Sequence, residues 1–404
     1  MRFFEENLKV QNMNMKYNKN FDKLIDNYLF SAVRAKKREY EEKHPHAKIV
    51  NLGVGDVVGG LAPSVVSAMQ KTISEYLSPT TFKGYPPEQG YEFLRESIRS
   101  YYHRFGVELS TSEIYVSDGA KSDIGNILDI FDKTTSLIPN PVYPAYLDTN
   151  IMRGNKIKFV DGSKENGFLP LPDFQDKNSY LIYICSPNNP TGAVYTKEQL
   201  KLWVDYAIQN GSIIIFDSAY ESFIREDYPR SIFEIEGSKT CAIEISSFSK
   251  RAGFTGLRLG FSIIPNDLKV ENKEIGKLWF RRQSTRFNGV SYIIQKGGDA
   301  SLSKKGIEEC AKQVDYYLEN AKILKQLFSN LGFDVVGGVN APYLWIDCKK
   351  DSWEFFDYLL EKHQIVGTAG VGFGSAGKNY FRLSAFALRE DVEIATERLT
   401  NGGF

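Results

Sequence analysis

Ser246-Ser247-Phe248-Ser249-Lys250 places one primary amine among three hydroxyls, and Arg251-Ala252-Gly253-Phe254-Thr255-Gly256-Leu257-Arg258-Leu259-Gly260 follows directly. Such groups suit a small molecule that carries both a phosphate and an aldehyde. The hydroxyls and Arg258 can hold the phosphate, and the Lys250 amine can condense with the aldehyde as a Schiff base. A Gly/Ser-rich strand-to-helix turn with a solvated lysine is the competing reading of this stretch alone. Other strand ends decide between them.

Four further places carry polar residues where open α/β sheets bind ligands, beyond the carboxyl ends of strands. Gly119-Ala120-Lys121 opens a helix, where free backbone amides and the helix dipole can hold a phosphate; an ordinary helix start is the plain alternative. The Tyr143 ring could stack on a planar cofactor or simply be buried. Ser186-Pro187-Asn188-Asn189-Pro190-Thr191-Gly192 offers an Asn side chain to a ring oxygen, against the alternative of a proline-rich turn. Asp217 closes the apolar run Ser212-Ile213-Ile214-Ile215-Phe216. A carboxylate there is costly without a cationic partner, and a protonated pyridine nitrogen would be one. Tyr220 could then hydrogen-bond the phenolic oxygen; the alternative is a helix-capping Asp. Together Asn189, Asp217, Tyr220, Lys250 and Arg258 supply each group that pyridoxal phosphate needs.

The elements that would position these residues alternate along the chain. Residues 1–27 read as a polar arm, followed by a helix from Arg34 to Lys43 and, over Lys48–Asp56, a strand leading into a glycine turn. Gly53, Gly55 and Gly59 do not match a dinucleotide fingerprint, because the spacing is wrong and Pro63 opens the next helix. That helix, Pro63 to Leu77, carries Val65, Met69, Ile73 and Leu77 as an inward face, and Tyr91 to Phe105 carries Leu94, Ile98 and Tyr101. Strands at 113–117, 157–160, 181–185, 212–216, 241–245 and 258–264, with helices between them, predict a doubly wound α/β sheet. A long helix near 303–330 and short strands near 333–336, 343–346 and 381–385 predict a smaller α+β domain. The expected division is 1–60 as arm and part of the small domain, 61–290 as the cofactor-binding domain, and 291–404 as the C-terminal small domain.

Composition narrows the class. The 404 residues carry 50 basic and 50 acidic side chains, which argues against a large footprint for nucleic acid or a membrane surface. No apolar run is long enough to span a bilayer. Cys185, Cys241, Cys310 and Cys348 form no paired motif, so free thiols in a cytoplasmic protein are expected. His44 and His46 flank Pro45 in a polar turn without ligand spacing, so no metal is expected.

Order and spacing of these residues resemble the fold type I pyridoxal-phosphate aminotransferases of class I/II across residues 28–400. Asn27-Tyr28-Leu29-Phe30, Leu52-Gly53-Val54-Gly55-Asp56, Phe82-Lys83-Gly84-Tyr85 with Glu88-Gln89-Gly90, Ser117-Asp118-Gly119-Ala120-Lys121, Phe287-Asn288-Gly289 and Asn340-Ala341-Pro342-Tyr343 are similar to the LL-diaminopimelate aminotransferase family. The resemblance implies transamination between LL-2,6-diaminopimelate and 2-oxoglutarate, forming tetrahydrodipicolinate and glutamate in lysine biosynthesis. It implies a large doubly wound mixed sheet with a smaller α+β domain. Lys250 is then the Schiff-base lysine, Asp217 the partner of the ring nitrogen, Tyr143 a stacking ring, and Asn189 and Tyr220 the partners of the ring oxygen. Ala120, Lys121, Ser247, Ser249 and Arg258 bind the phosphate region. Tyr85 and Asn288 reach the neighbouring subunit's site in a homodimer. Arg382 clamps the α-carboxylate, and Tyr28, Gly55, Glu88 and Lys121 line the substrate pocket, joined by Tyr143, Asn189 and Asn288.

One stretch departs from that family: Val57-Val58-Gly59-Gly60 stands where a threonine, a polar residue and a proline are usual, and it bears on substrate preference. Two other readings compete. A general class I/II aminotransferase would act on alanine, aspartate or aromatic amino acids, whereas the carboxylate of Glu88 suits a distal ammonium. A non-catalytic ligand-sensing module would need a basic DNA-binding segment, and the stretch before residue 28 is too short for one.

Overall fold

A computed structural model describes residues 15–24 and 29–402 of the chain. Helix α1 (Leu29–Lys43) leads to the two-residue strand β1 (Val50–Asn51), and helices α2 (Pro63–Ser74) and α3 (Glu92–His103) follow across an extended loop. Alternation then sets in with β2 (Ile114–Ser117), α4 (Ala120–Asn126), β3 (Thr135–Asn140), α5 (Pro144–Arg153) and β4 (Lys156–Asp161). It continues with β5 (Leu181–Cys185), α6 (Lys197–Gln209), β6 (Ile213–Asp217), β7 (Ala242–Ser247), the one-turn helix α7 (Phe248–Arg251) and β8 (Gly260–Ile263). A hairpin of β9 (Lys269–Val270) and β10 (Lys273–Glu274) precedes helices α8 (Ile275–Arg286), α9 (Tyr292–Leu302) and α10 (Lys304–Asn330). The C-terminal part holds β11 (Val335–Gly337), β12 (Tyr343–Asp347), α11 (Ser352–His363), β13 (Ile365–Val366), β14 (Thr368–Ala369), β15 (Tyr380–Ser384) and α12 (Arg389–Gly402).

The main sheet runs β2-β8-β7-β6-β5-β3-β4, with β8 antiparallel to both neighbours and every other pair parallel. Strands β5, β6 and β7 are buried at every residue, as parallel strands covered on both faces must be. Alternation divides β6 between two cores: Ile214 and Phe216 join the layer of Trp203 and Phe248, while Ile213 and Ile215 join that of Tyr183 and Trp279. A second, antiparallel sheet, β11-β12-β15-β14, forms the C-terminal part. Strand β1 pairs in parallel with β13, Val50 opposite Ile365, which ties the N-terminal segment to that part. Among the described residues no helix is long and apolar enough to cross a membrane.

Two expectations are corrected here. In the stretch read as a strand leading into a glycine turn, Lys48–Asp56, the strand is only two residues long, and close contacts crowd the glycines that follow. A Cβ at Gly53 would lie 2.5 Å from the Gly367 carbonyl, and one at Gly55 would lie 2.4 Å from the Tyr343 hydroxyl. The helix expected over Pro63–Leu77 ends at Ser74, with Glu75–Leu77 a 3-10 turn, and its face is only in part a core face: Val65 is buried, but Ile73 and Leu77 are 58% and 88% exposed. Of the expected arm, residues 15–24 form one 3-10 turn, Lys19–Lys23, in which the Asn18 side chain donates to the Met152 carbonyl at 2.9 Å.

Candidate active site

A cleft of about 600 Å³ opens at the carboxyl ends of the main sheet. Gly55, Ala120, Lys121, Tyr143, Asn189, Asp217, Tyr220, Ser247, Ser249, Lys250, Arg258 and Arg382 all line it. Most follow the ends of main-sheet strands, which parallel strands bring to one side, while Gly55 comes from the loop after β1 and Arg382 from β15 of the second sheet.

One wall is built to receive an anion. Ser247 ends β7 and caps α7, its hydroxyl accepting from the Ser249 amide at 3.1 Å. Arg258 donates to the Ser249 hydroxyl at 3.3 Å and to the Thr255 carbonyl at 3.1 Å. The Arg258 backbone sits at φ 63°, a left-handed conformation that costs a non-glycine residue about 1 kcal/mol and that clusters at ligand sites. Opposite lies Gly119, at φ 128°, which caps α4 without a side chain. A Cβ at Gly119 would lie 2.3 Å from the Arg258 guanidinium, so glycine alone lets the arginine lie over the first amides of α4. Two serine hydroxyls, a guanidinium and the start of a helix thus line one wall of the cleft.

Lys250 leaves α7 towards the cleft, and its amine donates to the Gly55 carbonyl and lies 5.2 Å from the Phe386 ring. Burial pulls the amine down to about 8, with Asp56 acting against that shift and Arg382 and Arg258 adding to it. A large fraction of this lysine is therefore neutral, and nucleophilic, at mildly alkaline pH. Across the cleft Asp217 closes β6, where Tyr146 donates to its Oδ2 at 2.6 Å and the Ala219 amide to its Oδ1 at 3.0 Å. Burial nevertheless raises its carboxyl above the usual range. Among the described residues no basic side chain pairs with Asp217. The site therefore has a place for a cationic N–H.

A polar chain crosses the floor. The Tyr220 and Tyr343 hydroxyls stand 2.9 Å apart, and the Asn189 amide reaches the Tyr220 hydroxyl at 3.5 Å. Arg382, fully buried on β15, donates to Asn189 Oδ1 at 2.8 Å and to the Gly53 carbonyl at 2.7 Å. Its guanidinium lies 4.5 Å from the Tyr343 ring and 4.8 Å from the Phe373 ring. Aromatic faces and two anchored N–H groups fix the plane of the guanidinium, which suits bidentate capture of a carboxylate.

Three expected site residues do not line this cleft. Tyr85, 86% exposed, lies on the surface with Glu88 and Asn288. Gly289 abuts Pro86 and Pro87 there, a Cβ at Gly289 falling 2.6 Å from Pro86, so these loops form one patch. Glu88 is exposed and is not among the residues that line this cleft. Tyr28 falls outside the described residues.

Sequence reasoning missed Tyr146, Tyr343, Asp56 and Phe386. Tyr146 stands one helical turn after Tyr143 on a helix opened by Pro144, so one signal for it was present. Nothing near Tyr343 in sequence announces that its hydroxyl meets Tyr220.

The cleft's cations (Arg34, Lys37, Lys121, Lys250, Arg258, Arg382) outnumber its carboxylates (Asp56, Asp217), which suits anionic ligands. The comparisons agree with that chemistry. The model of the family "aminotransferase class I and II" matches residues 47–399. The chain is 46% identical to an LL-diaminopimelate aminotransferase of Agathobacter rectalis over 95% of this chain and 98% of that protein. It is 48% identical to one of Prochlorococcus marinus, over 95% and 99%. The solved L,L-diaminopimelate aminotransferase from Chlamydomonas reinhardtii superposes with a TM-score of 0.91 at 39% identity, covering 97% of this chain and 100% of that one. Enzymes of this family work with pyridoxal phosphate. The protein is an aminotransferase, and the chain belongs to the class I and II aminotransferase family of fold type I.

Proposed function

We propose that the chain binds pyridoxal phosphate and transfers an amino group between LL-2,6-diaminopimelate and 2-oxoglutarate, forming tetrahydrodipicolinate and glutamate in lysine biosynthesis. The observation that carries the cofactor is Asp217, a buried carboxylate aimed into the cleft opposite a lysine and an anion cradle. Relatives named for LL-diaminopimelate over nearly the whole chain support the substrate. When bound, the cofactor supplies an aldehyde that takes up the donor's amine and a ring that draws electrons from the α-carbon.

The residues of the chain then divide the work. Ala120, Lys121, Ser247, Ser249 and Arg258 hold the phosphate region, and the Tyr143 ring covers the cofactor. Asp217 keeps a proton on the ring nitrogen, which maintains the ring's pull on electrons. Tyr220 and Asn189 hydrogen-bond the phenolic oxygen. Arg382 orients the substrate α-carboxylate, fixing which bond to the α-carbon faces Lys250. Nζ of Lys250 removes the α-proton and returns it as base and then acid. Gly55 and Lys121 line the substrate side, with Tyr143 and Asn189.

The same proposal includes a homodimer with shared sites. Ile73, Leu77, Phe82 and Tyr85, close together in sequence, are large apolar side chains left exposed in the single chain, and the loop of Pro86 and Pro87 meets Gly289 beside Asn288. A partner's copies of Tyr85 and Asn288 would complete each pocket, with Glu88 and Tyr28 as substrate-pocket residues. The division into 1–60, 61–290 and 291–404, and a cytoplasmic location consistent with four buried free cysteines, belong to this reading too. The test is a comparison of kcat/KM for LL-diaminopimelate, aspartate, alanine and phenylalanine with 2-oxoglutarate as acceptor. A preference for LL-diaminopimelate of about a hundredfold or more is expected; a preference for aspartate or alanine overturns the substrate.

A further inference from the structure

The segment Val57-Val58-Gly59-Gly60 lies against α10 and is fastened to it. The Tyr317 hydroxyl accepts from the Val58 amide at 3.1 Å and from the Gly59 amide at 2.9 Å. One turn earlier, Gln313 donates to the Gly60 carbonyl at 2.8 Å. Close approach explains the glycine: a Cβ at Gly59 would lie 2.1 Å from the Gln313 amide nitrogen and 3.1 Å from the Tyr317 hydroxyl. Three residues before Val58, the Gly55 carbonyl accepts the hydrogen bond from Lys250 Nζ.

Tyr317 is also linked to this amine through Phe386. Its ring is fully buried and packs edge-on against Phe386 at 4.9 Å, and the Phe386 ring is the one that lies 5.2 Å from Nζ. A single side chain thus holds the loop that follows this carbonyl and packs against the ring beside the amine. Such convergence is more than core filling requires, since the ring alone would fill the space and the hydroxyl would then be a buried polar group without use.

We infer that Tyr317 is a positioning residue for Lys250: it pins the Val57–Gly60 loop so that Nζ is held, and kept from water, between Gly55 and Phe386. The inference rests on the reading of Lys250 as the proton carrier. The charged groups that bear on Nζ are Asp56 from the loop, Arg382 from β15 and Arg258 after α7, and Asp217 and Tyr220 line the same cleft. Burial is the largest of the influences on Nζ and outweighs Asp56, so freeing the loop hydrates the amine and moves its titration upward.

The experiment uses the cofactor-free full chain, labelled with cyanate across a pH series, with carbamylation of Lys250 read by peptide mass spectrometry. The wild-type midpoint should stand near 8. Tyr317→Phe keeps the ring and loses the acceptor, and its midpoint should rise by at least about half a pH unit. In the loaded enzyme the same variant should lower kcat about tenfold with a smaller change in KM. A smaller rise, a fall, or an unchanged kcat overturns the inference. Should Tyr317→Phe fail to fold, the half-exposed Gln313→Ala decides: its midpoint must rise by at least about a quarter of a pH unit, and anything less overturns the inference. Because the labelling needs no turnover, it stands apart from the functional reading, which fails separately if Lys250→Ala still transaminates.

Discussion

Tyr146 donates its phenolic hydrogen to Oδ2 of Asp217 at 2.6 Å, at the end of a strand whose four preceding residues are all apolar. A carboxylate so placed is costly in the cofactor-free protein, since a phenol and one amide replace water only in part. Burial raises the Asp217 carboxyl, so this group contributes stability below the unfolded carboxyl value and loses it as pH rises through the folded one. Above its folded value the site thus holds a carboxylate at a cost to the fold, one that a cation arriving with the ligand offsets.

Asp217→Asn removes that cost and the charge together. The cofactor-free variant should melt no lower than wild type at pH 7, while kcat of the loaded enzyme falls by a factor of about a hundred or more. Thermal unfolding and steady-state kinetics check both halves. A lower melting point with normal kcat contradicts the assignment.

Tyr146→Phe keeps the ring stacked on Tyr183, 5.2 Å away with planes 20° apart, and loses only the donor. A hydrogen bond to a charged group contributes roughly 1.5–3 kcal/mol. Its loss should lower kcat/KM about tenfold while the fold holds, as circular dichroism would report.

Lys250 gives a pH dependence with a definite sign. Its folded value is depressed to about 8, so the folded protein sheds this proton before the unfolded chain does. The charged amine thus costs stability below about 8, and that cost is relieved as pH rises towards the ordinary lysine value. Lys250→Met should stabilise the cofactor-free protein at pH 7, and the gain should shrink between pH 8 and about 10.5. Cofactor uptake by the wild-type apoprotein should accelerate with pH about a midpoint near 8, because the neutral amine is the reacting form. A midpoint near 10 contradicts the burial of the amine.

Shared sites make a mixing experiment decisive. Arg382→Ala disables a subunit's own cleft, whereas Tyr85→Ala removes a residue that lies outside it, 86% exposed. Each variant alone should be nearly inactive. Mixed and refolded together they should recover about a quarter of wild-type activity, through dimers with one intact site. No recovery means that the sites are self-contained.

Much of the fold and of the cleft is legible in the amino-acid sequence. Asp217 and Lys250 stand out because buried parallel strands are apolar throughout, so a polar residue at their ends is conspicuous. The rest depends on contacts that periodicity does not carry. Tyr343 reaches Tyr220 across 123 positions of sequence, and Tyr317 reaches Val58 across 259. The α2 face misleads because i, i+4 spacing marks an apolar stripe without saying what covers it; Ile73 and Leu77 are left outside by this chain. Gly55 is recognisable as a pocket residue, but its carbonyl contact with Lys250 follows from a loop path that only packing against α10 determines.

The central claim is that Lys250 carries the proton in an amino transfer from LL-diaminopimelate. The most direct measurement is glutamate formation from LL-diaminopimelate and 2-oxoglutarate by the cofactor-loaded wild type and by Lys250→Ala, side by side. The account predicts steady turnover by the wild type and a loss of about a thousandfold or more in the variant, with cofactor still bound. Glutamate formation by Lys250→Ala at a rate near that of the wild type would contradict it.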